Sequence, residues 1–164
     1  MAKTALTVTV RIDGLRETLQ AFREMPKDAN DELRDRSREL AQVLADRARA
    51  AGQAEGGQAA LVAGTVKAAR DRVPVVQAGG TRKLGRHKAP AWGLLFASEF
   101  GMTRRSGWYA SPRYGRSTAR QYQPHQGQQG IWFFPTVEGA QTEISRQWNQ
   151  AADAIVRKFS DGGA

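Results

Sequence analysis

A regular stripe of apolar residues near the C-terminus constrains the fold more than any other feature of the sequence. From Val137 to Phe159, apolar side chains recur at intervals of three and four residues, which is the spacing of one face of an α-helix. This spacing predicts a long closing helix, with Thr136 placed to cap its N-terminus. Trp148 lies in the middle of the stripe, and we expect it in the core. The stripe comprises Val137, Ala140, Ile144, Trp148, Ala151, Ile155 and Phe159.

The N-terminal third shows one strand pattern and two further helical patterns. Residues 6–12, LTVTVRI, alternate apolar and polar side chains, as expected for a half-buried strand. Residues 15–22 have amphipathic spacing, and residues 26–51 predict a long helix that begins at Pro26. The apolar stripe of that long helix is Ala29, Leu33, Leu40, Leu44, Ala48 and Ala51. Residues 52–57, GQAEGG, predict a break after it.

Two later segments have less regular patterns. Pro74 predicts that residues 73–76 form an edge strand or an irregular extension, because proline cannot donate to a ladder. Residues 90–101, PAWGLLFASEFG, favour a short helix that has Gly101 as a left-handed C-terminal cap. The composition of this second segment would also suit a buried strand.

The remaining segments complete the predicted fold. Residues 101–130 lack periodicity, and a structureless segment of about 30 residues is uncommon within a compact domain, so we expect an extended arm. The IWFF run that follows predicts an aromatic strand ending at Pro135. The chain is therefore expected to be a single α+β domain over residues 1–164, with a core formed by residues 4–100 and 131–160. Its small antiparallel sheet would pack against one long helix and a C-terminal helix, with the long extended loop or arm outside.

Positive charge is concentrated in one part of the chain. The formal net charge is +9, and residues 79–130 contain nine Lys or Arg residues but one acidic residue, Glu99. Such a basic block suggests a polyanionic partner such as nucleic acid, or an acidic surface on a neighbouring protein. A solvated basic loop is the simpler alternative. Aromatic residues are interleaved with the arginines, which suits either stacking on single-stranded bases or anchoring against a neighbouring subunit.

The sequence provides little for catalysis. It has no cysteine, which excludes disulfides and thiolate chemistry and is typical of a protein that assembles in a reducing cytoplasm. His87 and His125 are not spaced as metal ligands, and neither a phosphate-binding glycine loop nor a nucleophile elbow occurs. We therefore expect no enzymatic activity, no metal and no cofactor. No apolar stretch reaches the ~18 residues needed to span a bilayer, so we expect no membrane association.

Glu99 lies between Ser98 and Phe100 in an otherwise apolar run. A carboxylate in such surroundings is costly unless it is paired or hydrogen-bonded. We expect it to accept a charge-assisted bond from an arginine, or from backbone N–H groups at the turn after Gly101, and so to fix where the arm leaves the core. A Glu99 side chain that points to solvent at the end of a helix is the alternative.

Two short motifs and their surroundings carry a resemblance to a known family. The order of the segments along the chain resembles that of the neck, or minor tail-component, family of long-tailed bacteriophages. The segments are an N-terminal strand, a long charged helix, the run AWGLLFASEFGM, a long polar loop and the run GIWFFPTVEGAQTEI. The motif residues are Glu99, Phe100 and Gly101, and then Phe133, Phe134 and Pro135. Met102 departs from the pattern, since a threonine is characteristic after Glu-Phe-Gly in that family, and here Thr103 follows one position later.

The resemblance implies a structural virion protein that forms a homo-oligomeric ring, six-fold or twelve-fold, in the neck that connects head and tail. Such a protein assembles in the host cytoplasm and contacts the adjacent head-completion or adaptor proteins and the tail-terminator or tail-tube proteins. Double-stranded DNA would pass through the ring with transient, non-specific contacts. A tail-completion or tail-terminator ring, and a non-enzymatic nucleic-acid-binding protein that uses residues 82–120, remain as alternatives.

We further hypothesise that the basic block has two parts with different roles. Contacts with sliding DNA should be made to phosphates and should be independent of sequence. The candidates for lining the DNA channel are Arg82, Lys83, Arg86 and Lys88. Arginines and aromatic residues on the arm are suited to contacts with adjacent subunits or rings, because both are common among interface hot spots. These intersubunit candidates are Arg104, Arg105, Trp108, Tyr109, Arg113, Tyr114, Arg116 and Arg120.

Overall fold

The computed structural model describes residues 5–102, 122–123 and 130–162. Within these ranges the chain forms five helices and five short strands. In chain order they are β1 (Ala5–Thr9), α1 (Leu15–Arg23), α2 (Lys27–Glu55), α3 (Gly57–Ala63), β2 (Lys67–Ala69), β3 (Val75–Gly79), β4 (Lys83–Leu84), β5 (Ala89–Pro90), α4 (Ala91–Phe100) and α5 (Phe133–Asp161). The expected α+β class is confirmed, because a small antiparallel sheet packs against helices and a long helix closes the chain.

The strands form a three-stranded antiparallel sheet and a separate hairpin of β4 and β5. The order of the sheet is β1-β3-β2, with Thr7 opposite Gln77 at the centre of the β1–β3 pair. The predicted strand at residues 6–12 is confirmed as β1, although it ends earlier, at Thr9. Val10 and Ile12, which continue the alternation beyond the strand, are buried in the core.

The prediction for the segment around Pro74 is wrong. Val75–Gly79 form β3, which is the central strand of the sheet and not an edge. Pro74 lies immediately before this strand, so its missing N–H removes no bond from the paired residues of the ladder. Its carbonyl oxygen still accepts a hydrogen bond of 3.0 Å from the N–H of Val10. A proline just outside a central strand is therefore tolerated.

The three helices predicted from periodicity are confirmed as α1, α2 and α5, and the two long helices α2 and α5 pack against each other. Most of each predicted stripe is buried. The buried members are Ala29, Leu33, Leu44 and Ala48 of α2, and Val137, Ala140, Ile144, Trp148 and Ile155 of α5. The remaining members, Leu40, Ala51, Ala151 and Phe159, are partly buried at the edges of the stripes.

The predicted break at residues 52–57 begins too early, because α2 continues to Glu55. Gly52 lies inside the helix and is buried. A Cβ atom at this position would lie 2.7 Å from the Cβ of Ala63 and 3.0 Å from the indole of Trp132, so the glycine allows α3 and Trp132 to pack closely on α2. The chain leaves the helix at Gly56, whose φ of 78° favours glycine.

The prediction of an aromatic strand at 131–134 is also wrong. Helix α5 begins at Phe133, so Phe134 and Pro135 belong to its first turn, where proline is well tolerated. Thr136 does not cap this helix. Its hydroxyl group lies within the helix and donates a hydrogen bond of 2.7 Å to the carbonyl oxygen of Trp132.

The helix predicted at residues 90–101 is confirmed as α4, over Ala91–Phe100. Gly101 follows it with a φ of 74°, which favours glycine as expected. Its ψ of 161° differs, however, from the value of about 47° that a left-handed helical cap requires. The chain therefore leaves α4 in an extended direction and not in a left-handed turn.

Candidate functional site

The Glu99 side chain connects the end of α4 to the start of α5. One carboxylate oxygen, Oε2, accepts hydrogen bonds from the backbone N–H groups of Phe133 at 2.7 Å and Trp132 at 3.2 Å. The other oxygen, Oε1, accepts one from the N–H of Phe134 at 2.9 Å. The carbonyl oxygen of Glu99 accepts a fourth bond from the N–H of Ile131 at 2.8 Å. We call Glu99 together with the backbone of residues 130–134 the Glu99 junction.

These donors are the groups that a helix leaves unpaired at its N-terminus. The first N–H groups of an α-helix have no partner within the helix, and the helix dipole favours negative charge at that end. Glu99 therefore caps the N-terminus of α5 through a long-range contact, since it lies more than 30 residues earlier in the sequence. Backbone donors were one of the two expected alternatives, but they belong to the start of α5 and not to the turn after Gly101. Among the described residues, no arginine donates to this carboxylate.

Glu99 is almost completely buried, with 1% of its surface exposed, so the alternative of a solvent-exposed side chain is wrong. Burial raises the pKa of the Glu99 carboxyl group, because removing the charged form from water is unfavourable. The N–H groups of Phe133, Phe134 and Trp132 oppose this rise by stabilising the carboxylate. The cap is thus a buried acidic group whose hydrogen bonds offset part of the cost of its burial.

Aromatic contacts extend the Glu99 junction and bring the two family-like motifs together. The rings of Phe100 and Phe134 lie 5.8 Å apart, and the ring of Phe96 stacks on Phe100 at 6.0 Å. The indole N–H of Trp132 donates to the hydroxyl of Ser98 at 3.1 Å. The Phe100–Phe134 and Trp132–Ser98 contacts join α4 to the start of α5, whereas Phe96 supports Phe100 from within α4. The hydrogen bond between Trp132 and Ser98 was not predicted from the sequence, because neither residue type by itself indicates such a partner.

The role of Gly130 in the Glu99 junction was also not predicted from the sequence. A Cβ atom at this position would overlap Oε1 of Glu99 and would lie 2.9 Å from the Cβ of Phe134. Only glycine lets the backbone approach the carboxylate this closely. Gly130 directly precedes the IWFF run, and this position was the one indication in the sequence that the glycine matters. Nothing in the sequence indicated which atom its backbone approaches.

Replacing Gly130 with alanine is expected to lower the free energy of unfolding by about 1–3 kcal/mol, because the added methyl group displaces the carboxylate from the N–H groups that it caps. Gly139→Ala is the matched control. Gly139 is exposed on α5 and has no atom within 4 Å of an added Cβ, so this change should be neutral or stabilise the protein by up to about 1 kcal/mol. Chemical denaturation of both variants measures the difference. Equal stability of the two variants would contradict the role given to Gly130.

The ends of the segment between α4 and α5 are held close to the junction. Gly130 lies against the Glu99 carboxylate, and the N–H of Met102 donates to the carbonyl oxygen of Gln123 at 2.9 Å. The segment that was predicted to be an arm lies largely outside the described residues. The intersubunit candidates Arg104, Arg105, Trp108, Tyr109, Arg113, Tyr114, Arg116 and Arg120 all lie outside them, as does His125.

The four candidates for lining a DNA channel lie together on the hairpin of β4 and β5. Arg82, Lys83, Arg86 and Lys88 are all exposed there, and His87 is exposed beside them. Over the ranges that the structure describes, no group of three or more His, Asp or Glu side chains is arranged to hold a metal ion. None of the helices in those ranges is long and apolar enough to cross a membrane.

Comparisons with protein-family models, curated proteins and solved structures found no match to this chain. The resemblance to phage neck proteins therefore depends on the two motifs, on their order and on the elements around them.

Proposed function

We propose that this protein is a structural subunit of a ring in the neck of a tailed bacteriophage, where it connects the head-completion and tail-end rings around the DNA channel. The observation that carries this proposal is the contact between the two motifs of the resemblance. Glu99 of the first motif caps the helix that begins with Phe133 and Phe134 of the second. The two motifs therefore form one structural unit, although they are separated along the chain. This contact supports an architecture shared with the neck family over a chance similarity of two short sequences.

The Glu99 junction also suits a subunit that presents one long segment to its neighbours. The 27 residues from 103 to 129 connect Met102 to Gly130, and Gly130 lies next to the Glu99 carboxylate. The segment therefore begins close to Glu99 in the sequence and ends beside a glycine that contacts the Glu99 carboxylate. We propose that the arginines and aromatic residues of this segment contact adjacent subunits and adjacent rings of the neck.

The mass of the protein, free in solution and on purified particles, tests this proposal. We expect a closed homo-oligomer, or a monomer that becomes one on the virion, and we expect the protein to be a component of the particle. A protein that stays monomeric and is also missing from purified phage particles would overturn the proposal.

An assembly assay tests the division between the two basic regions. Replacing Arg104 and Arg105 with alanine is expected to block the joining of heads to tails while leaving heads full and tails complete, because truncating arginines at an interface centre removes hot-spot contacts. Neutralising the basic residues between 82 and 88 is the control, and it should leave joining intact. If both variants behave alike, a general electrostatic role of the whole block replaces the division.

A further inference from the structure

The hairpin of β4 and β5 concentrates positive charge without any negative charge beside it in the sequence. Between Gly80 and Pro90 there are four Lys or Arg residues and no acidic residue. None of the four forms an ion pair with any described residue. Elsewhere in the described part of the chain, many basic residues are paired with carboxylates. Those paired residues are Lys27, Arg34, Arg36, Arg47, Arg49, Arg70 and Lys158.

The backbone holds these charges on a fixed frame. The carbonyl oxygen of Arg82 accepts a hydrogen bond from the N–H of Ala91 at 2.8 Å, and that of Gly80 accepts one from the N–H of Trp92 at 2.9 Å. Both bonds tie the hairpin to the start of α4. On the inner side, Leu84 packs against the core. The positive side chains are therefore displayed by a supported hairpin, which lowers the entropic cost of binding a ligand.

The composition of the exposed surface distinguishes between possible partners. Leu84 is the single large apolar residue between positions 81 and 88, and it packs against the core. Leu61 of α3, which is 43% exposed, lies beside the hairpin at Gly85, and one such side chain does not form the apolar centre of an interface. The centre of a stable protein interface is rich in apolar and aromatic side chains, and binding of single-stranded nucleic acid uses aromatic rings for stacking. Residues 81–88 contain no Phe, Tyr or Trp. Contacts with the phosphates of a duplex need only positive and polar groups, which this hairpin has.

We propose that the hairpin, residues 80–90, is a binding site for the phosphodiester backbone of double-stranded DNA, and that it binds without regard to base sequence. Arg82, Lys83, Arg86 and Lys88 supply the contacts, and phosphates carry no information about the bases. This proposal rests on the proposed function for the source of the DNA, since a neck ring surrounds the passing genome. The binding itself depends on the hairpin and can be measured separately.

The test measures the affinity of the full chain for two unrelated DNA duplexes of about 30 base pairs, by fluorescence anisotropy, between about 50 and 200 mM salt. One variant replaces Arg82, Lys83, Arg86 and Lys88 with glutamine. The control variant makes the same change of charge at four exposed basic residues that have no ion pair with a described residue. These control positions are Arg16, Arg23, Arg38 and Arg157.

We expect the unmodified protein to bind both duplexes equally. Loss of four phosphate contacts should reduce the slope of log affinity against log salt by about 3–4 and lower the affinity near physiological salt by about 100-fold or more, because fewer counterions are released. The control variant should keep nearly all of its slope. An equal loss in both variants, an unchanged hairpin variant, a strong preference for one duplex, or tighter binding of polyglutamate than of DNA would each overturn the proposal.

The same variants separate this proposal from the proposed function. If the protein is missing from phage particles but the hairpin variant alone loses DNA affinity, the neck assignment fails and the DNA site stands. If the protein is present in a ring but the hairpin variant binds DNA normally, the DNA site fails and the neck assignment stands.

Discussion

Replacing Glu99 with alanine is expected to lower the free energy of unfolding by about 3–5 kcal/mol. The change leaves the N–H groups of Trp132, Phe133 and Phe134 without their acceptor in a buried position. An unsatisfied buried donor costs about 1–3 kcal/mol, and losing an N-cap alone typically costs about 1 kcal/mol. Chemical denaturation measures the total, and hydrogen exchange at residues 132–134 should become faster, which locates the effect at the start of α5.

Two further variants make this result interpretable. Glu99→Gln keeps the shape of the side chain, but its amide NH₂ faces backbone N–H donors, so we expect an intermediate loss of about 1–3 kcal/mol. Glu138→Ala removes an exposed glutamate from α5 and should change stability by less than about 0.5 kcal/mol. If the alanine variant at position 99 were no less stable than the one at position 138, the carboxylate would not hold the start of α5.

Elements defined by local periodicity could be predicted from the sequence. The stripe from Val137 to Phe159 and the alternation in LTVTVRI depend on which side chains share a face, and that follows directly from residue spacing. The fold class followed because only a few arrangements can bury such faces together. The ends of these elements were less predictable. Helix α2, for example, passes through Gly52 because Ala63 and Trp132 pack against that position, and neither neighbour is visible in local sequence.

The start of α5 could not be predicted, because distant residues decide it. IWFF is rich in aromatic and β-branched residues and by itself favours a strand. The carboxylate of Glu99 nevertheless supplies the acceptor that lets the backbone begin a helix at Phe133. The sequence did identify Glu99 as an anomaly, since a charge within an apolar run requires partners. It could not indicate that those partners lie more than 30 residues away along the chain.

Replacing Trp148 with alanine is expected to lower the free energy of unfolding by about 3–5 kcal/mol, because it removes the largest completely buried side chain among the described residues and leaves a cavity between α2 and α5. The indole also forms a small polar network that the apolar stripe did not reveal. Its N–H donates to the hydroxyl of Ser37 at 2.9 Å and to the carbonyl oxygen of Arg72 at 3.0 Å. The hydroxyl of Ser37 donates to the same carbonyl at 2.8 Å.

This network allows the packing and the hydrogen bonds of Trp148 to be measured separately. Trp148→Phe keeps an aromatic ring in the core but removes the N–H donor, and the carbonyl of Arg72 still has Ser37 as a donor. We therefore expect this variant to lose clearly less stability than the alanine variant, and Val43→Ala, at a side chain that is 45% exposed on α2, to lose less than about 0.5 kcal/mol. If the phenylalanine variant lost as much stability as the alanine variant, the hydrogen bonds and not the packing would hold α5 against α2. A loss near zero for Trp148→Ala would instead show that the stripe of α5 does not contribute to the core.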